Sequence, residues 1–192
     1  IKNNGLKIIS ETGDILIHPA NATDNPEELE IADIILFCVK AYDTEASAKL
    51  IKPIVGPKTA VIPFLNGLGH IEIMKNILGN NNVIGGVAAI SALIEEPGII
   101  RHNSPMQMLK FGEFSNEKTE RVIEFQSACE KAGINNAIPD NINTDMWQKI
   151  VMICTLAGAN CITRLPLGKC RSNPATRILM KNLAEEVVAV AK

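Results

Sequence analysis

Residues 31–40, IADIILFCVK, show most directly which kind of fold the chain adopts. Apart from Asp33 and the final Lys40, every residue in the stretch is apolar, and isoleucine predominates. A continuous apolar run of this length is typical of a β-strand that is covered on both faces inside a parallel sheet. The stretch therefore predicts an α/β domain.

The segments that follow alternate between helical and extended patterns. Apolar residues recur at helical spacing in residues 44–51, and Pro53 and Gly56 end this predicted helix. A second strand is predicted at residues 59–66, TAVIPFLN, although Pro63 is unfavourable in a fully hydrogen-bonded central strand. The order of strand, helix and strand is the one expected of a βαβ unit.

The same alternation continues to about residue 115. An amphipathic helix is predicted at residues 71–78, and two strands are predicted in the stretch from Asn82 to Glu113. Pro97 and Gly98 form the predicted turn between these strands. Residues 1–115 therefore predict an α/β, Rossmann-like domain.

The character of the chain changes near residue 115, because the remaining segments have only helical patterns. Helices are predicted at residues 117–132, from Asn143 or Thr144 onward, and at residues 174–192. Residues 116–192 therefore predict an all-helical domain.

Composition restricts the classes of function. With 46% hydrophobic and 21% charged residues in a chain of 192, a sizeable core can form. The net charge of −2 and 4% aromatic content argue against nucleic acid as a partner. No apolar run reaches the roughly 20 residues that a membrane-spanning helix needs. The five cysteines lack metal-binding or redox spacing, which favours a cytoplasmic protein without a metal site.

Polar side chains end both predicted strands of the βαβ unit. Ligands of open parallel sheets bind beyond the carboxyl ends of the strands, where Lys40 and Asn66 are expected. Gly67 and Gly69 follow Asn66 and allow backbone to approach a ligand. The alternative is structural: Lys40 simply extends into water, and Asn66 with Gly67 forms a turn.

Lys149 stands at the head of an apolar run that contains no further charge until Arg164. Partial burial among such residues would lower its pKa toward the range useful for proton transfer. In the alternative interpretation, Lys149 forms an exposed ion pair with Asp145, one helical turn earlier, worth only about 0.3–0.5 kcal/mol.

Several motifs, taken in order, resemble those of the 2-dehydropantoate 2-reductase (ketopantoate reductase) family over essentially the whole chain. They are ILFCVKAYDTEASAK, IPFLNGLGHIE, GGVAAISALIEEPGIIRH, KFGE, DMWQK and TRLPLGKCR. The resemblance implies a Rossmann domain that binds NADPH and a helical domain that completes the active site. It also implies NADPH-dependent reduction of 2-dehydropantoate to pantoate, a step toward pantothenate and coenzyme A.

The resemblance also assigns roles to individual residues. Lys149 is the implied catalytic proton donor and a substrate contact. Lys40 and Asn66 match cofactor positions, and Asn66 also faces the substrate. Ser91 falls near another cofactor contact and is the third expected cofactor residue. A 2-oxo acid is thus the expected substrate and NADP the expected cofactor, and a homodimer is left open.

The chain departs from the family pattern in three places. The GxGxxG segment is expected before Ile1, and a substrate-binding serine and glutamate are expected after Lys192, so the chain is expected to be a truncated, inactive part of a longer enzyme. Asparagines that many members carry after the catalytic lysine are replaced by Ile153, Ala157 and Leu167. Two alternatives therefore stay open: a related NAD(P)-dependent reductase of another 2-oxo acid, or a non-catalytic dimerisation or binding module.

Overall fold

Apolar runs separated by polar turns fold into seven β-strands and six α-helices in the computed structural model, which describes residues 1–192. The strands are β1 (Leu6–Ser10), β2 (Ile15–Ile17), β3 (Ala32–Phe37), β4 (Val55–Pro63), β5 (Gly85–Glu96), β6 (Ile99–Gly112) and β7 (Asn136–Ala137). The helices are α1 (Thr44–Ile51), α2 (Gly69–Leu78), α3 (Glu120–Lys131), α4 (Ile142–Thr163), α5 (Leu167–Ser172) and α6 (Pro174–Ala191). They form two compact units, Ile1–Ile142 and Asn143–Lys192.

Strands β3 and β4 form the predicted parallel pair, with Phe37 opposite Pro63. Both strands end earlier than predicted, so Lys40 and Asn66 lie in the loops beyond them and not at the strand ends. Proline has no N–H with which to continue the ladder, and Pro63 is accordingly the last residue of β4. The next amide, of Phe64, donates to the carbonyl oxygen of Phe37 at 3.0 Å.

Side chains of β4 point alternately into two parts of the core. On one face, the strands pack against α1 and α2 in a cluster of Phe37, Ala48, Val61, Leu65, Met74, Leu78 and Val83. On the other face, they pack against α3 in a cluster of Ala60, Ile62, Ile84, Phe111, Val122 and Cys129. Because both faces are buried, β4 needs apolar residues at successive positions, as the sequence has them.

The remaining strands make a mixed sheet in the order β2-β1-β6-β5, with β7 paired to β6. Strands β5 and β6 are antiparallel, and β1 lies parallel to β6. A parallel bridge between Val61 and Val83 connects β4 to the chain entering β5. The predicted α/β, Rossmann-like part followed by helices is confirmed, and β1 and β2 are additions that no sequence pattern indicated.

Helix α3 belongs to the first compact unit, whereas the sequence placed the domain boundary near residue 115. Its Val122 and Cys129 are almost fully buried against the sheet, with 1% and 3% of their surfaces exposed. Arg121 adds polar contacts, since it donates to both carboxylate oxygens of Glu113 and to the carbonyl oxygens of Thr59 and Asn81. With α3 packed in this way, the first unit extends to Ile142.

The second unit consists of α4, α5 and α6. Helix α4 ends where Arg164 adopts a positive φ of 54°. The side chain of Asn173 caps α6, accepting from the amide of Ala175 at 2.9 Å, and Pro174 takes the first helical position. No helix combines the length and the apolarity that crossing a membrane would require.

Candidate active site

Lys40 and Asn66 lie in neighbouring loops at one edge of the parallel strands. Since Phe37 pairs with Pro63 and the strands run in the same direction, the loops leave the sheet side by side. Both Lys40 and Asn66 are exposed. The structure therefore brings together the two polar residues that the sequence placed beyond the carboxyl ends of these strands.

The loop of Lys40 is held by its own backbone. Lys40 precedes a single 3-10 turn, Ala41–Asp43, and its carbonyl oxygen accepts from the amide of Asp43 at 2.9 Å. The buried Thr44 fixes the same turn, because its hydroxyl donates to the carbonyl oxygen of Ala41 at 2.8 Å. The backbone is thus fixed while the Lys40 ammonium remains exposed and able to meet an anionic group.

The loop of Asn66 depends on the glycine that follows it. Gly67 has a φ of +91°, a conformation that glycine adopts without strain. A Cβ atom added at Gly67 would meet nothing within 4 Å, and the same holds at Gly69, where α2 begins. The backbone beside Asn66 is therefore open to a ligand.

Ser91 lies in β5, beyond the point where this strand passes the end of β4. It is exposed and falls at an irregularity in the pairing of β5 with β6, between Ile90 and Ala92. The two loops and Ser91 thus belong to the first unit. Ser91 lies further along β5, beyond the edge at which β3 and β4 end.

Lys149 is half-buried in α4, in the second unit. Burial lowers the pKa of its ammonium group from the ordinary value of 10.5. An ion pair with Asp145 would by itself raise this pKa, so burial is the dominant influence on the lysine. A lysine with a lowered pKa gives up its proton more readily, which suits a general acid.

Two residues that shape this region were not identified from the sequence. Gly86 permits β5 to approach β4, because an added Cβ would lie 2.6 Å from the carbonyl oxygen of Pro63. His102, in β6, is buried and contacts two other parts of the chain. The pair Gly85–Gly86 in an apolar strand was a usable sign of close backbone approach. A single histidine gives no comparable sign.

Comparisons with known proteins agree with the order of an α/β part followed by a helical part. The family model described as ketopantoate reductase PanE/ApbA matches residues 1–116, and that described as ketopantoate reductase PanE/ApbA C terminal matches residues 141–192. Among curated proteins, the uncharacterized oxidoreductase YkpB of Bacillus subtilis is 29% identical over 192 residues, which are 100% of this chain and 63% of that protein. The chain thus spans less than two thirds of the length of this relative.

Solved structures show the same similarity. A crystal structure of 2-dehydropantoate 2-reductase from Geobacter metallireducens matches with a TM-score of 0.90 and 28% identity, covering 100% of this chain and 63% of that one. A ternary structure of D-mandelate dehydrogenase with NADH and anilino(oxo)acetate shares the fold, with a TM-score of 0.79 at 18% identity, over 99% of this chain and 66% of that one. Matched in both its α/β and its helical part, the chain belongs to the ketopantoate reductase PanE/ApbA family, a family of oxidoreductases.

Proposed function

We propose that the protein reduces 2-dehydropantoate to pantoate with NADPH, a step of pantothenate and coenzyme A biosynthesis. The observation that carries the proposal is Lys149, a half-buried lysine of lowered pKa in the helical part of a ketopantoate reductase family member. Because the chain spans only 63% of the relatives it matches, the proposal concerns the activity of the complete gene product.

The exposed residues at the β3–β4 edge fit a nicotinamide cofactor. The Lys40 ammonium and the Asn66 amide supply hydrogen-bond donors, and the open backbone at Gly67 leaves room for a bulky group. We assign Lys40, Asn66 and Ser91 to cofactor binding and Asn66 also to the substrate. When bound, NADPH supplies a hydride to the carbonyl carbon of the 2-oxo acid.

Lys149 supplies the other half of the reduction. As the carbonyl oxygen gains negative charge, the ammonium group stabilises it and donates a proton to form the product hydroxyl. The lysine becomes a neutral amine and recovers a proton from solvent before the next turnover. Partial burial strengthens the interaction between ammonium and developing alkoxide, because fewer water molecules screen it.

A decisive experiment measures oxidation of NADPH and NADH by the complete gene product with 2-dehydropantoate. We expect Lys149→Ala to lower kcat by about 100-fold or more, the usual contribution of a positioned proton donor. Lys169→Ala, at an exposed lysine of α5, is the matched control and should leave kcat unchanged. Near-normal kcat in Lys149→Ala would remove the role of the lysine, and absence of turnover in the wild type would favour a non-catalytic binding module.

A related reductase acting on another 2-oxo acid is the second candidate, and Ile153 and Ala157 favour it. These residues follow Lys149 by one and two turns of α4, so they extend an apolar surface from the catalytic lysine. A site built to bind a hydroxyl discriminates against an analogue without it by about 10⁴-fold or more, whereas an apolar pocket discriminates weakly.

We therefore expect the enzyme to accept 2-oxo acids with plain aliphatic side chains. The measurement compares kcat/KM for 2-dehydropantoate with that for 2-oxoisovalerate, which lacks the hydroxyl. A preference for 2-dehydropantoate above about 10³-fold would mean that polar groups elsewhere in the protein bind the hydroxyl. Cytoplasmic location and a homodimer are further proposals, the first supported by five free cysteines.

A further inference from the structure

The sheet formed by β5 and β6 is interrupted next to Ser91. On the N-terminal side of Ser91, Ile90 pairs with Gln107, and on its C-terminal side, Ala92 pairs with His102. A single residue of β5, Ser91, therefore lies opposite four residues of β6, 103–106. Such a bulge bends the sheet and changes the direction of the side chains beside it.

The bulge separates two parts of β6 with different partners. Residues 99–102 lie between β1 and the second half of β5 and pair with both, whereas residues 107–112 pair with the first half of β5 and include the fully buried Phe111. Ser91 sits where the two parts meet, and its backbone position depends on how residues 103–106 are held.

His102 holds both sides of this bulge. Its side chain is 8% exposed, and its Nε2 lies 3.3 Å from the carbonyl oxygen of Met106, the last bulge residue. A carbonyl oxygen can only accept, so Nε2 carries the proton of the neutral ring. Nδ1 then accepts from the hydroxyl of Ser10 in β1, at 3.0 Å. The imidazole thus spans from β1 to the far end of the bulge.

We propose that His102 is a positioning residue, whose hydrogen bond to Met106 fixes the bulge and thereby holds Ser91 in place for the cofactor. The inference rests on the proposed function, in which Ser91 contacts NADPH. His102 itself has no assigned contact with cofactor or substrate. Its effect is therefore expected in cofactor affinity and in the order of the bulge, and not in proton transfer.

Amide replacements of the histidine separate its two hydrogen bonds. Glutamine places an amide near the position of Nε2, and asparagine places one near that of Nδ1. In the complete gene product, His102→Gln thus retains a donor for Met106 and should keep the dissociation constant of NADPH within about twofold of the wild type. His102→Asn and His102→Leu should weaken NADPH binding about tenfold, which is the effect of one lost hydrogen bond. Ser10→Ala is the control: it removes the Nδ1 partner, together with the contacts of the same hydroxyl to Thr12, and leaves the contact of Nε2 with Met106 in place. It should resemble His102→Gln.

Amide hydrogen exchange supplies a readout independent of activity. In His102→Asn and His102→Leu, the amides of Ser91 and of residues 103, 104, 106 and 107 should exchange faster, while those of α2 stay protected. Unchanged NADPH affinity despite faster exchange would overturn the positioning role, and so would unchanged exchange in His102→Leu. A wild-type protein that neither binds NADPH nor reduces a 2-oxo acid would instead overturn the proposed function. The two failures can be told apart, because the exchange measurement still reports whether His102 fixes the bulge.

Discussion

Lys149 shows at the scale of one residue how a property that suits its proposed catalytic role weakens the fold. In the folded protein its ammonium group is partly removed from water, whereas in the unfolded chain it is fully hydrated, and this difference lowers its pKa from 10.5. Below the lowered pKa, the folded state bears the whole cost of the buried charge. As the pH rises from the lowered pKa toward 10.5, the unfolded state binds more protons than the folded state, so stability increases through this window.

Replacing the charge by an isosteric apolar group should therefore stabilise the protein while inactivating it. We expect Lys149→Met to raise the melting temperature at pH 7, and the difference from the wild type to shrink as the pH approaches 10.5. Scanning calorimetry at several pH values measures this effect. Lys169→Met is the exposed control, and a lower melting temperature for Lys149→Met at pH 7 would contradict the expectation.

The site could be predicted from the sequence only where position along a strand was enough. Lys40 and Asn66 lie in the loops that follow two apolar strands, and their common edge follows from parallel pairing. The roles of Lys40, Asn66 and Ser91 at the cofactor and of Lys149 as proton donor came from resemblance to a family and stay predictions. His102 could not be identified, because its hydrogen-bond partner Ser10 lies 92 residues away in the chain.

At the scale of elements, the packing of β5 against β4 depends on Gly86. An added Cβ would lie 2.6 Å from the carbonyl oxygen of Pro63 and 2.8 Å from Cγ2 of Ile62, and the backbone oxygen cannot move aside cheaply. We expect Gly86→Ala to lower the free energy of unfolding by about 1–3 kcal/mol, as overpacking usually does.

Gly69 provides the matched control for this prediction. It is the first residue of α2, and an added Cβ there meets nothing within 4 Å. Gly69→Ala should leave stability unchanged or raise it by less than about 1 kcal/mol. Urea unfolding of both variants measures the difference, and equal effects would show that close approach at Gly86 is not what requires glycine.

Elements that bury a regular apolar face were the ones that the sequence revealed. Helix α1 lies at the predicted residues 44–51, and β3 lies within the predicted 31–40. Strand β2 was not predicted, because all three of its residues are exposed and no alternation marks a buried face. Such a strand is stabilised by pairing with β1, and pairing across a sheet leaves little trace in local sequence.

At the scale of the whole molecule, the position of α3 predicts the residue at which the polypeptide can be truncated while the first unit stays intact. A polypeptide ending at residue 116 would lose Val122 and Cys129 from the core and Arg121 from its ion pair with Glu113, whose side chain is only 11% exposed. Burial of a side chain such as that of Val122 contributes about 1.5–3 kcal/mol, and the shorter polypeptide loses this contribution, that of Cys129 and the partly buried ion pair together.

We therefore expect a polypeptide of residues 1–142 to be more stable than one of residues 1–116 by about 3 kcal/mol or more, mainly through the apolar burial of α3. Urea unfolding followed by circular dichroism compares them. The 1–142 polypeptide carrying Arg121→Met separates the ion pair from the apolar packing of α3. Equal stability of the two lengths would place the structural boundary near residue 115, as the sequence suggested.

The native cysteines can report local opening of each unit through their reactivity with a thiol reagent. Each unit contains one buried cysteine, Cys129 in α3 and Cys170 in α5, whereas the other three are exposed. A thiol reagent should modify the exposed cysteines at once and reach each buried one only when its own unit opens. Mass spectrometry of the labelled peptides would thus time the opening of the α/β part and of the helical part separately, in a single sample and without any engineered label.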